Sequence, residues 1–170
     1  VIIANGSSTT LTVNTTIGGI NSPELSYTNW RNNEPNNSGD YGQVFISDGR
    51  WDDRNNGYAN NWEVVEFNNP RSDVINGYTK LMDDYNGHSY YIRNNFQNYW
   101  TTANTYAKNL GGYLVVIDSE AENQLVWEAV RAVKGTSYGY WIGLSQTRSS
   151  DTSTEPSGGW EWVDQPSTIS

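Results

Sequence analysis

The chain has 170 residues, with ten Lys and Arg against nineteen Asp and Glu for a net charge of −9, eight Trp, twelve Tyr and no Cys. That length suits one domain with a core of its own; the aromatic content excludes a disordered chain, the lack of Cys excludes disulfides and thiolate metal sites, and the negative charge argues against nucleic acid and for a cation as partner. No apolar run approaches about eighteen residues and no charged stretch leads into an apolar one, so neither a membrane span nor a signal peptide is predicted.

Residues 1–24 alternate loosely through Leu11, Val13, Thr15 and Ile17, which predicts a Thr-rich strand or hairpin extension. Residues 25–67 read as short strands between Asn- and Gly-rich turn clusters, among them Asn36-Asn37-Ser38-Gly39 and Arg54-Asn55-Asn56-Gly57. Residues 68–87, punctuated by Asn-Asn-Pro, Asn-Gly and Asn86-Gly87, read as a linker. The remainder, 88–170, is more regular. Tyr90-Tyr91-Ile92 predicts a strand, and Thr101 or Thr102 caps a helix whose Ala103, Tyr106, Ala107 and Leu110 share one face before Gly111-Gly112 ends it. After a strand from Tyr113 to Ile117, Ser119 and Glu122 form a capping box for a second helix with an apolar stripe of Ala121, Leu125, Ala129 and Val133. Tyr140 to Leu144 and Trp160 to Val163 predict two further strands. The pattern is α+β.

One constellation carries chemistry. Glu34-Pro35-Asn36, Asp40 and Asp52-Asp53 fall within twenty residues on predicted loops, and calcium takes about six to eight hard oxygen ligands from such groups. An X-Pro bond adopts cis readily, which turns Glu34 and Asn36 to one side. A carboxylate there accepts while an amide donates, so a ligand's vicinal hydroxyls can bind the ion and its protein ligands together. Taken singly, these strings also read as ordinary turns or solvated acidic loops. Gathered without a cation the carboxylates repel, by about 1 kcal/mol per pair at ~4 Å even in bulk water. His88, the chain's one histidine, sits in a predicted strand with no nucleophile or helix-borne metal ligand beside it, so no enzyme is predicted.

Trp141-Ile142-Gly143-Leu144 followed by Trp160-Glu161-Trp162 resembles the WIGL strand and subsequent W-x-W stretch of C-type lectin-like domains. Gly87 to Tyr91, Leu110 to Leu114 and Glu122-Asn123 look like that family too, as do Leu25 to Trp30, Glu34-Pro35-Asn36 and Trp51-Asp52-Asp53, the last two matching its EPN and W-N-D motifs. The order is reversed, since the family runs WIGL, W-x-W, EPN, W-N-D. The resemblance therefore implies a circularly permuted C-type lectin-like fold, with two helices, small antiparallel sheets and a long-loop region, as in bacterial surface adhesins. A fragment of a tandem array whose halves pair between chains has the same signature. In this reading 25–67 is the family's C-terminal half, 68–87 the permutation linker and 88–170 its N-terminal half.

Carried over residue by residue, the resemblance makes Glu34, Asn36, Asp52 and Asp53 the calcium and sugar ligands, with Asp40 near the acidic ligand between the motifs. Asp151 and Glu155 resemble an auxiliary calcium pair. Tyr58, Tyr41 and Trp62 are candidates to pack on a ligand. Asp52 departs from the family's Asn, and Val65 and Ala107 stand where a disulfide is usual, so an apolar contact is expected there. The implied function is calcium-dependent binding of mannose-, fucose- or glucose-type sugars on cell-surface glycans. The alternative is calcium-dependent binding of a peptide or protein, since a peptide carboxylate can fill calcium's open positions. The Ser-, Thr- and Asn-rich, Lys-poor composition adds the expectation of a monomeric extracellular or cell-surface adhesion module within a larger chain, with no membrane insertion.

Overall fold

Strands buried on both faces need a helix on each side, and the alternation in this chain meets that demand. A computed structural model describes residues 25–57, 60–146 and 158–165; the expected extension 1–24 lies outside them. In chain order the elements are β1 (Tyr41–Phe45), β2 (Trp51–Arg54), β3 (Asn61–Phe67), β4 (Tyr78–Tyr85), β5 (His88–Arg93), α1 (Trp100–Asn109), β6 (Tyr113–Leu114), α2 (Glu120–Lys134), β7 (Gly139–Gln146) and β8 (Trp160–Trp162). The strands form one mixed sheet in the order β2-β1-β7-β3-β5-β4, with β6 added on β3 and β8 on β7. All pairings are antiparallel except that of β3 with β7, which is parallel over Asn61 to Glu63.

Tyr140, Ile142 and Leu144 of β7, Val64 of β3 and Tyr90 and Ile92 of β5 enter one apolar cluster with Val126 and Val130 of α2. Their neighbours Trp141, Val65 and Tyr91 enter a second cluster with Trp100, Ala103 and Ala107 of α1. Odd and even residues thus feed opposite faces, as the period of a strand requires. Val65 and Ala107, both fully buried, share the second cluster, as expected for a pair standing in place of a crosslink.

Three local readings are corrected. Residues 68–87 hold a regular strand, β4, hairpinned to β5 through Asn86 (φ 53°) and Gly87 (φ 85°); two consecutive residues in the left-handed region make the tight turn that suits a hairpin, and half-buried Leu81 and Met82 pack on the core. Helix α1 starts at Trp100, before either Thr. Its cap comes from elsewhere, since Asn56 Oδ1 accepts from Thr101 N at 3.2 Å, a partner no local pattern announces. In α2, Ser119 accepts from Glu122 N as expected, but the inner face is Glu122, Asn123, Val126 and Val130, offset from the predicted stripe. Two of those residues are polar, and a hydrophobic pattern does not see them. Glu122 accepts from Tyr90 OH at 2.6 Å and from Asp118 N at 3.0 Å, while Asn123 accepts from Trp51 Nε1 at 2.8 Å and donates to Gly49 O at 3.1 Å.

Candidate metal centre

Strand β2 is the edge of the sheet, yet Trp51, Asp52 and Asp53 are all buried, because residues 25–39 cover the edge. Trp51 N donates to Asn29 O and Arg31 N to Trp51 O, at 2.8 and 2.9 Å. The Trp51 ring lies edge-on to Tyr27, Trp30 and Trp162, with centroids 5.6 to 5.8 Å away. On the α2 side the Trp51–Asn123 bond fixes the strand to the helix. The two acidic residues that follow Trp51 therefore stand on rigid backbone.

The loop from Asn33 to Asn37 then folds against Asp53. Asn33 and Asn37 have φ of 67° and 69°, a conformation that Asn tolerates better than most side chains. The Glu34–Pro35 bond between them is cis, in line with the sequence expectation. Asp53 Oδ1 accepts from Asn36 N at 2.8 Å and Oδ2 from Gly39 N at 3.0 Å, and Ser38 Oγ donates to the Asp53 carbonyl. Gly39 is needed here, because a Cβ at that position would lie 1.9 Å from Arg54 C and 2.2 Å from Asn55 N. The loop can reach Asp53 only by pressing its backbone onto the end of β2.

The result is a group of three carboxylates, Glu34, Asp52 and Asp53, whose ligand atoms lie within 4.8 Å of one another. Asn36 adds its amide, donating Nδ2 to Glu34 Oε1 at 3.0 Å. Asp52 is bound by Arg54, Oδ2 to Nη2 at 2.7 Å. Two oxygens in the group, Glu34 Oε2 and Asp52 Oδ1, are buried with no hydrogen-bond partner. Buried oxygens of this kind are costly unless hydrogen-bonded or bound to a metal.

The protonation of the group reflects the same crowding. Burial, followed by the close approach of the Asp53 carboxyl and the charges of Asp52 and Asp53, pushes the Glu34 carboxyl up to about 7. Burial also raises Asp52, against the opposing pull of Arg54. For Asp53 burial acts upward as well, but hydrogen bonds from Asn36, Gly39 and Ser38, with the Glu34 carboxyl beside it, outweigh burial and hold the carboxyl below its usual value. Glu34 is therefore the carboxyl of the group that takes up a proton most readily near neutral pH, in competition with any cation. A set made only of carboxylate and amide oxygens fits a hard ion such as calcium and does not favour zinc or copper.

Four of the sequence-predicted residues, Glu34, Asn36, Asp52 and Asp53, are thus brought together. Asp40 is not in the three-carboxylate group; its carbonyl accepts from Gln146 N at 2.8 Å, tying the loop to β7. Tyr58, Asp151 and Glu155 lie outside the described residues. Trp62 packs on Phe96 at 4.4 Å and Tyr41 on Trp100 at 4.7 Å between centroids. Arg54 and Gly39 are the contributors that sequence reasoning missed. Arg54 had a signal, since residues two apart on a strand share a face; the close approach at Gly39 depends on a contact between distant segments.

Residues 96–168 match the family model of the lectin C-type domain. Over this stretch, under half of its length, the chain is similar to C-type lectin domains. A perlucin-like protein of Mytilus galloprovincialis is 31% identical over 71 residues, 42% of this chain and 41% of that protein. C-type lectin domain family 6 member A of Mus musculus is 30% identical over 78 residues, 46% of this chain and 32% of that protein. The chain thus spans less than half the length of either relative. No solved structure gives a significant match. Two helices on a mixed sheet agree with a lectin-like α+β fold. The family-model match begins after the three-carboxylate group, whose residues lie between positions 34 and 53. Among the described residues no helix is long and apolar enough to cross a membrane.

Proposed function

We propose that this C-type lectin domain is a calcium-dependent carbohydrate-binding adhesion module with its two halves in swapped order. Residues 25–67 supply the calcium and ligand half, 88–170 supply the half that the family model matches, and 68–87 join them through the β4–β5 hairpin. The pairing of β1 with β7 and the Trp51–Asn123 bond support this, because they join the segment bearing Glu34 to Asp53 onto the helical half.

The single observation that carries the calcium reading is the pair of buried, unpartnered oxygens on Glu34 and Asp52 within a three-carboxylate cluster. With the ion held by Glu34, Asp52 and Asp53 and by the Asn36 amide, solvent or ligand oxygens complete the shell. A sugar of the mannose, glucose or fucose type then offers two adjacent hydroxyls. Glu34 accepts from one, and the Asn36 amide, freed from Glu34, donates to the other. Asp151 and Glu155 are proposed as a second ion's ligands. The setting is extracellular or at a cell surface, within a longer chain that binds glycans on another cell.

One observation favours a second reading, a peptide or protein ligand. Asp52 offers no amide donor where the family's Asn does, so one of the two hydroxyl partners of a sugar is missing from that side. The deciding experiment is a thermal melt in calcium and in chelator followed by a glycan array under both conditions. Calcium-dependent stabilisation with glycan binding, competed by free mannose or fucose, is expected. Binding that persists in chelator refutes the mechanism, and displacement by a short peptide but not by free sugar refutes the carbohydrate reading.

A further inference from the structure

We infer that Arg54 is a positioning residue that matches the charge of the metal centre to a divalent ion and restricts Asp52 to one coordinating oxygen. The inference rests on the calcium reading above and adds what sets the ion's valence. Asp52 is 3% exposed, with Oδ2 bound to Arg54 Nη2 at 2.7 Å, while Oδ1 is buried without a hydrogen bond of normal geometry and the Gln43 side chain faces the carboxyl across the strand pair. Oδ1 is therefore the oxygen left for a metal. Three carboxylates with one guanidinium among them leave two negative charges, the complement of a divalent cation.

Arg54 is held in this role by its surroundings. Its guanidinium carbon lies 5.4 Å from the centre of the Phe45 ring, and that of Arg31 lies 4.4 Å from the same ring. Arg31 pairs with Asp48 at 3.1 Å, and its charge acts on Asp52 more weakly than that of Arg54. The geometry also accounts for an acidic residue at position 52, since the guanidinium neutralises the added charge. A trivalent ion gains more than a divalent one from each extra negative charge, by about five- to tenfold per unit charge at a few ångströms in a water-like medium.

The test compares terbium(III) with calcium, using tryptophan-sensitised terbium luminescence and competition by calcium on the folded chain, with far-UV circular dichroism as the check on folding. Arg54→Gln is expected to raise the terbium-to-calcium affinity ratio roughly five- to tenfold. Arg54→Lys, which keeps the charge, is expected to leave the ratio near that of the unmodified chain. Asp52→Asn alone lowers it, and Asp52→Asn combined with Arg54→Gln restores it, because net charge is then unchanged. Equal behaviour of the Gln and Lys variants, or a double variant that resembles Arg54→Gln, overturns the inference while leaving calcium binding intact. Should Arg54→Gln fail to fold, the Asp52→Asn variant still decides, since an unaltered ratio there also overturns it. An unmodified chain that binds neither ion refutes the calcium reading itself.

Discussion

Replacing Glu34 by Gln separates the fold's interest from the site's. The carboxyl is held at about 7, against an ordinary 4.5, by burial and by its acidic neighbours, so at about pH 8 it is ionised at a cost. At ~1.36 kcal/mol per unit the full shift corresponds to roughly 3 kcal/mol, and solvent screening at this half-buried side chain leaves about 1 kcal/mol. The amide keeps an oxygen for Asn36 Nδ2 and offers N–H to the acidic neighbours where Glu34 Oε2 now has no partner. In chelator near pH 8 the variant is therefore expected to be the more stable, by about 1 kcal/mol or roughly 2–4 °C in melting temperature. In calcium the order reverses. The unmodified chain gains about 2.7 kcal/mol at a hundredfold excess over its dissociation constant, and the variant, lacking a coordinating charge, gains little. The sign with pH follows from the raised value: protonation of Glu34 stabilises the metal-free fold below about 4.5, and this contribution is lost as pH rises through about 7, so near pH 5 the variant's advantage disappears. Scanning calorimetry at both pH values, with calcium and with chelator, measures all four cases. A variant that melts lower in chelator near pH 8, or that keeps the full calcium shift, refutes the account of the site.

Gly39→Ala places a Cβ within 2.2 Å of the Arg54–Asn55 backbone; the loop must withdraw from Asp53, and calcium affinity by isothermal titration is expected to fall at least tenfold, whereas an unchanged affinity contradicts the packing described. Trp51→Phe leaves Asn123 Oδ1 without its donor and part of a fully buried site empty, an expected loss of about 2–4 kcal/mol in urea unfolding. Across pH 5 to 8 in chelator, the unmodified chain's stability is expected to fall. Glu63 and Glu122 are each pushed up to about 7 by burial, so their contribution is present below about 4.5 and lost as pH rises through that window. The depressed Asp53 acts only below its ordinary value of 3.8, and a stability that rises between pH 5 and 8 contradicts these assignments. Asp151→Asn with Glu155→Gln is expected to reduce calcium stoichiometry by one without abolishing binding, and an unaltered stoichiometry removes that pair as ligands.

What was legible in the sequence, and what was not, divides by range. Strand β7 was readable because burial on both faces writes a nearly continuous apolar run from Tyr140 to Leu144, whereas Asn61, Glu63 and Glu66 interrupt β3. The start of α2 was readable because Ser119 and Glu122 cap within one turn. The start of α1 and the inner face of α2 were missed, since both depend on polar partners brought from afar: Asn56 for Thr101, Tyr90 for Glu122, and Trp51 for Asn123. Strand β4 was read as a linker because its Asp and Lys residues hide a half-buried edge, and its pairing with β5, with register shifts near Met82, depends on the hairpin.

The site divides in the same way. Carboxylates are visible in a sequence wherever they stand, and mutual repulsion makes Glu34, Asp40, Asp52 and Asp53 candidates to hold an ion. The structure draws in three of them, with the amide of Asn36, and leaves Asp40 outside, tied through its backbone to β7. The features that make the gathering possible are neutral or opposite in charge and carry no pattern of their own: a residue without a side chain at 39, whose backbone must touch β2, and a guanidinium at 54 that binds one oxygen of Asp52 and leaves the other for a metal. A search for acidic clusters finds the ligands. Finding what permits them to sit 4.8 Å apart requires knowing which strand the loop lies on, and that depends on the fold.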